Sequence, residues 1–249
     1  MEQNTISLLK EAAGKAAVDN MVKSGMKLGL GTGSTAVHAV RRVGELLAQG
    51  ALKDICAFAT SFQTEIECEK LRIPFYTLNS RELSGGLDLT IDGADEVDPK
   101  NRLIKGGGGA MLIEKLAAYA SSEFVIIVDE SKLTENLGYG FAVPVEVVPA
   151  ARVQAAKALD KLGATVTLRE AIRKAGPIIT EHGNLILDIR FSPSVPGEHN
   201  SHNGTIDPSF METELNQIPG VVENGFFTRK PPVVYIAHSN GKVETRLTN

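Results

Sequence analysis

Tryptophan is absent from this chain, and cysteine occurs only at Cys56 and Cys68. Two cysteines cannot build the multi-bridge framework of a small secreted domain. Cys56 sits in a strand-like run and Cys68 in a helix-like one, so they read as free thiols of a reducing cytoplasm, with a Cys56–Cys68 pair as the alternative. No stretch approaches the ~18 consecutive apolar residues of a membrane-spanning helix, and no membrane partner is expected. The opening MEQNTISLLKEAAG lacks a basic start, an apolar run and a cleavage site, so it does not read as a secretory leader. An excess of positive charge is lacking too: the formal net charge is −4, which argues against a broad basic surface for nucleic acid and makes any phosphate site a local one. Internal repeats and low-complexity segments are missing. What is there, 249 residues with 43% hydrophobic and 22% charged, suffices for one large domain or two small ones around a sizeable core.

The first part of the chain alternates helix and strand. Apolar spacing predicts helices over 4–23, 35–49, 64–71 and 110–119, and strands over 26–30, 55–59, 87–91 and 124–128. That alternation implies an α/β fold: a Rossmann-like, mostly parallel sheet covered by helices on both faces. The second part predicts a strand at 143–148, a helix at 150–162, strands at 164–169 and 185–190, a helix at 208–217 and a strand at 220–227. This order matches a smaller ferredoxin-like α+β domain. Pro231-Pro232 marks a junction, and 233–237 with the Ser239-Asn240-Gly241 turn reads as a strand pair that rejoins the first domain. The expected domains are thus 1–137 plus 232–249, and 138–231, the latter a lid or oligomerisation domain. The stretch 191–205 reads as a surface loop, with His199 and His202 as polar loop residues rather than metal ligands.

Four apolar strands each end in a polar or glycine-rich loop: GLGL in Thr32-Gly33-Ser34-Thr35, CAFA in Thr60-Ser61, LTI in Asp92-Gly93-Ala94-Asp95, and VIIV in Asp129-Glu130-Ser131-Lys132. In an open parallel sheet ligands bind at the carboxyl ends of the strands, so a cleft is expected there. Gly31 to Ala36 fits the dinucleotide pattern G-x-G-x-x-A. The second strand, however, ends in Thr60-Ser61 instead of an acid for ribose hydroxyls; the nearest acids, Asp54 and Glu65, flank it. Hydroxyls and amides at a helix N-terminus suit a terminal phosphate. A plain strand-to-helix turn with Ser34 or Thr35 as N-cap is the alternative.

Asp92-Gly93-Ala94-Asp95 is followed by Lys105-Gly106-Gly107-Gly108-Gly109 and then Glu114. Carboxylates, an ammonium and a run of unobstructed backbone amides can move protons on a small anionic substrate, and none of this needs a metal or an organic cofactor. Glycines in a row carry an entropic cost unless something must approach the backbone closely. The plainer readings are an Asx-type turn at Asp92, a cation site on Asp92, Asp95, Glu96 and Asp98 without the EF-hand alternation of acids, and a flexible linker with a solvated Lys105. Glu114 alone reads as exposed, because Leu112, Leu116 and Tyr119 or Ala120 mark the buried stripe of its helix. The glycine loop before it sets the helix start against the cleft.

LGLGTGSTA, TIDGADEVD, KGGGGAMLIEKL and VDESK, in this order and spacing, resemble ribose-5-phosphate isomerase of the A type. The resemblance is close over the first ~150 residues and continues through Ala142 to Pro149, Gly183 to Asp188 and Ile218 to Val222. It implies a cofactor-free aldose–ketose isomerase of the non-oxidative pentose phosphate pathway, acting on ribose 5-phosphate and ribulose 5-phosphate as a homodimer or homotetramer. By position it implies substrate loops at Thr32, Gly33, Ser34 and Thr35, at Asp92, Gly93, Ala94 and Asp95, and at Lys105, Gly106, Gly107 and Gly108. It also implies Glu114 as proton acceptor, Asp92 and Lys105 as further catalytic groups, and Lys132 as a substrate lysine. Lys10 is a weaker match to a phosphate-touching lysine. The chain departs from the family pattern in the length of the 191–205 loop and in Gly109, where many members have alanine. The alternatives are a non-catalytic sugar-phosphate sensor, a CoA transferase and a nucleotide-dependent dehydrogenase. The short stretch before the first strand leaves no room for the DNA-binding module of such sensors.

Overall fold

The computed structural model describes residues 3–191 and 206–247. Positions 192–205, with His199 and His202 and nearly all of the expected surface loop, lie outside the described residues. In chain order the elements are α1 (Gln3–Met21), β1 (Lys27–Leu30), α2 (Gly33–Ala48), β2 (Cys56–Ala59), α3 (Phe62–Leu71), β3 (Leu87–Asp92), β4 (Glu96–Val97), β5 (Leu103–Ile104), α4 (Met111–Ala120), β6 (Ser121–Asp129), β7 (Val143–Val147), α5 (Arg152–Lys161), β8 (Ala164–Leu168), β9 (Leu185–Phe191), α6 (Pro208–Leu215), β10 (Val221–Asn224), β11 (Phe226–Phe227), β12 (Val233–Ala237) and β13 (Val243–Arg246). The chain divides into two compact units, Met1–Ala94 with Ile113–Lys132 and Lys230–Asn249, and Asp95–Leu112 with Leu133–Arg229.

The first unit holds a six-stranded sheet in the order β13-β12-β6-β3-β1-β2. Its pairings are parallel except for the β12–β13 hairpin. Leu28, Leu30, Leu89, Ile91, Val125 and Ile127 are buried on these strands and pack with Ala13, Ala17, Ala39 and Val43 of the helices. Burial on both faces explains why the strands read as continuous apolar runs. Small residues bring the helices close: a Cβ on Gly14 would lie 3.0 Å from Ala39 N of α2. Cys56 and Cys68 are both free, and burial pushes the Cys68 thiol up to about 12.

The strand pair expected around Ser239-Asn240-Gly241 is the β12–β13 hairpin, turned by Gly241 at φ +82°. As the imidazolium, His238 donates from Nδ1 to Glu130 Oε2 (3.0 Å) and from Nε2 to Glu244 Oε2 (2.9 Å). These two carboxylates, Glu130 foremost, raise the imidazole above its ordinary pKa of 6.5. A raised pKa in the fold means the clamp stabilises fully below about pH 6.5 and is lost as pH climbs through the raised value. His238→Gln should therefore lower the melting temperature at pH 6, and the difference from the unaltered chain should vanish by about pH 9 in thermal scans.

The second unit carries an antiparallel sheet in the order β10-β7-β9-β8. Relabelled within the unit this is 4-1-3-2, the split βαβ arrangement of ferredoxin-like folds. Val143, Val145, Leu187 and Ile189 face Leu159 of α5 and Met211 and Leu215 of α6 in its core. A small three-stranded sheet, β11-β5-β4, was not expected. Nor was the division of the strand read over 220–227. It breaks at Gly225, whose N–H donates to Pro144 O (2.8 Å) and whose carbonyl accepts from Lys105 N (3.0 Å). A Cβ there would meet both Lys105 O and Pro144 Cδ at 2.5 Å, so only glycine lets the chain pass from one sheet to the other.

Candidate active site

In the first unit the site begins with what β1 gives up. A Cβ on Gly31 would lie 2.1 Å from Asp92 Oδ1, so the Asp92 side chain lies across the end of β1 because nothing projects there. Asp92 is fully buried. Its Oδ1 accepts from Gly93 N (2.7 Å) and Thr32 N (3.1 Å), which ties the loop after β3 to the loop after β1. Thr32 is spent on this framework: its hydroxyl bonds with Thr60 Oγ1 and Ser61 Oγ, each at 2.7 Å.

Helix α2 starts at Gly33 with Thr32 as N-cap. Ser34 and Thr35 therefore belong to its first turn, and neither is the N-cap considered from the sequence. The shift follows from Gly33, whose φ of +97° turns the chain into the helix earlier than an L-residue would allow. Gly33 N donates to Gln63 Oε1 (3.1 Å), and Lys10 Nζ donates to Ser34 Oγ (2.9 Å). An ammonium joined to first-turn donors makes this helix end attractive to an anion. Gln63 had no signal in the sequence, and Lys10 only the weaker match. Lys132 closes the 3-10 turn Glu130–Lys132 after β6, which Asp129 Oδ1 holds by accepting from Ser131 N (3.0 Å).

In the second unit, Asp95 and Lys105 frame the glycine run. Asp95 N donates to Ile104 O (2.8 Å), and Asp95 Oδ2 accepts from Gly107 N (2.8 Å). Lys105 is 3% exposed, with its ammonium 5.6 Å from the centre of the Phe227 ring. This is no flexible linker. Gly106 has φ +101° and Gly109 φ +81°, a backbone region that strains any residue with a side chain. A Cβ on Gly107 would lie 2.8 Å from Asp95 Oδ1, whereas one on Gly108 would meet nothing within 4 Å.

The stripe read on α4 is corrected. Met111, Glu114, Lys115, Ala117 and Ala118 are buried, while Leu116 is 49% exposed. The buried face follows the spacing i, i+3, i+4, i+7 from Met111, and it carries Glu114 inward to 4% exposure. The cation-site reading of the acids after β3 also fails, because backbone and guanidinium donors already engage them. Glu96 accepts from Gly138 N (2.9 Å) and Phe141 N (2.6 Å), and Asp98 from Arg102 N (2.8 Å) and Arg102 Nε (2.6 Å). Burial nonetheless pushes the Glu96 carboxyl above its ordinary value. Among the described residues no group of His, Cys, Asp and Glu is arranged to hold a metal, and no helix is long and apolar enough to cross a membrane.

Asp92, Lys105 and Glu114 thus share one property: each is an ionisable side chain almost wholly removed from solvent. Burying charge is costly unless it is compensated, so such groups concentrate where chemistry is done.

Comparison with known proteins agrees with the motifs. The profile of ribose 5-phosphate isomerase A (phosphoriboisomerase A) matches residues 56–241. A ribose-5-phosphate isomerase A of Treponema denticola is 50% identical over 96% of this chain and 98% of its own. The solved ribose 5-phosphate isomerase A of Methanocaldococcus jannaschii is 39% identical, with TM-score 0.85 over 97% of this chain and 98% of that one. A D-ribose-5-phosphate isomerase solved in complex with phospho-erythronic acid is 37% identical, with TM-score 0.86 over 97% of this chain and 99% of that one. On profile, identity, coverage and fold alike, the chain belongs to the ribose-5-phosphate isomerase A family.

Proposed function

We propose that this chain interconverts ribose 5-phosphate and ribulose 5-phosphate through a cis-enediolate. The carrying observation is the near-complete burial of Asp92, Lys105 and Glu114 on the motifs that mark the family. The phospho-erythronic acid bound to a relative supports a sugar-phosphate ligand.

An aldose becomes a ketose when one proton moves between neighbouring carbons and another between their oxygens. In this reading Glu114 takes the carbon-bound proton and returns it to the adjacent carbon. Asp92, fixed by the amides of Thr32 and Gly93, serves ring opening and oxygen-to-oxygen transfer. The Lys105 ammonium and the glycine-loop amides stabilise the enediolate, where losing one donor typically costs ~3–4 kcal/mol of transition-state stabilisation. Ser34, Thr35, Lys10 and Lys132 anchor the phosphate, so that remote binding energy holds the reacting end in place.

Mixing the protein with ribose 5-phosphate and following ketose absorbance, with and without EDTA, tests the reading. Conversion that survives the chelator is expected; no conversion would end it. Lys132→Ala should raise KM for ribose 5-phosphate about 10- to 100-fold with kcat little changed, the loss of one charge-assisted hydrogen bond. An effect confined to kcat would remove Lys132 from phosphate anchoring. Self-association belongs to the same proposal: Phe62 and Ile66, one turn apart on α3, are 58% and 50% exposed and suit contact with a second copy, which light scattering would detect. Free thiols at Cys56 and Cys68 suit a cytoplasmic location.

A further inference from the structure

Arg169 follows β8 and lies 62 positions beyond the Gly107 carbonyl it touches. Its side chain is 15% exposed. Nε donates to Asp188 Oδ2 (2.8 Å) and Nη2 to Asp188 Oδ1, so a carboxylate on β9 grips the guanidinium at two points. The third nitrogen, Nη1, donates to Gly106 O (2.9 Å) and Gly107 O (3.1 Å). Two successive carbonyls of the glycine run are thereby turned toward one cation. In a trans peptide the N–H points opposite to the C=O. Turning the Gly106 carbonyl to Arg169 sends the Gly107 N–H the other way, onto Asp95. Turning the Gly107 carbonyl to Arg169 sends the Gly108 N–H the same way. Gly108 is exposed, and its N–H donates to no group among the described residues.

We infer that Arg169, locked by Asp188, is a positioning residue that aims the Gly108 amide for use as a hydrogen-bond donor to the enediolate oxygen. The inference rests on the proposed isomerase reading. Asp95 and Arg169 hold the loop from opposite sides, one by an amide and the other by carbonyls. Such a hold calls for a planar fork, because a lysine ammonium has no fixed geometry with which to bond two carboxylate oxygens and two carbonyls together.

The test measures kcat, KM and melting temperature for Arg169→Ala, Arg169→Lys and Asp188→Asn, beside the unaltered chain. Arg169→Ala should lower kcat about 100-fold with KM within about threefold, the effect of a small misplacement near the reacting atoms. Millimolar ethylguanidinium should restore part of that kcat, a response that a loss of packing would not give. Asp188→Asn should lower kcat less, because the arginine stays but is gripped more weakly. A folded Arg169→Ala with kcat near that of the unaltered chain would overturn the inference, as would a loss of kcat that ethylguanidinium leaves untouched. Should Arg169→Ala fail to fold, Arg169→Lys decides: unchanged kcat and KM refute the role, reduced kcat at unchanged KM supports it. An unaltered chain that does not isomerise ribose 5-phosphate would instead refute the underlying reading, so the two failures are distinct.

Discussion

Glu114→Gln is expected to lower kcat for ribose 5-phosphate by about 10³-fold or more while leaving KM nearly unchanged. A factor of 10³ corresponds to ~4 kcal/mol of activation free energy, within the range of a lost proton-transfer group. Glutamine matches glutamate in shape and cannot take up a proton from carbon. The side chain is 4% exposed, so the exchange is made at a nearly dry position. The measurements are steady-state kinetics, a thermal scan, and exchange of the substrate's carbon-bound hydrogen with solvent. Near-normal turnover, or solvent exchange at the usual rate, would remove Glu114 from the proposed role.

The second large effect is expected at Gly31. Alanine there would set a Cβ 2.1 Å from Asp92 Oδ1 and 2.2 Å from Asp92 Cγ. Gly31 N donates to Ile91 O (3.0 Å), which ties this backbone to β3 and leaves it little room to give way. The clash should cost about 3 kcal/mol or more, at the upper end of overpacking penalties, and should displace the carboxylate from the amides that fix it. Activity should fall below detection. Gly31→Ala combined with Asp92→Gly separates the two consequences: emptying the space should restore the melting temperature and leave the chain inactive. Independent, additive losses of stability would show that the two residues do not compete for the same volume.

The central α/β alternation was legible because buried parallel strands leave unbroken apolar runs, and each run here ends in hydroxyls, acids or glycines. The ferredoxin-like order was legible for a similar reason. β4, β5 and β11 were not, since strands such as Glu96–Val97 are too short to show a period. The break at Gly225 left no local mark either; it depends on Pro144 and Lys105, far off in the chain. At the candidate site, Asp92, Lys105 and Glu114 stood out through the motifs around them. The inward face of α4 did not, because Met111 and Ala118 define it more than the leucines do. Gln63 and Arg169 escaped notice because what singles them out is a backbone atom they bond with, Gly33 N or the Gly106 and Gly107 carbonyls, and no pattern of side chains records that.

The position of β12 bears on how the molecule is made. β12 pairs with β6 from Val233 opposite Val125 to Ala237 opposite Asp129, and the clamp beside it joins residues 108 positions apart. During synthesis, β6 emerges from the ribosome with one edge open and must wait for most of the second unit to be translated before its neighbour arrives. Pairing across such long stretches of chain is slow, and an uncovered apolar edge invites wrong partners. A nascent chain halted after Arg229 would hold every strand of the second unit but lack β12 and β13, and so should be the stage most dependent on chaperones.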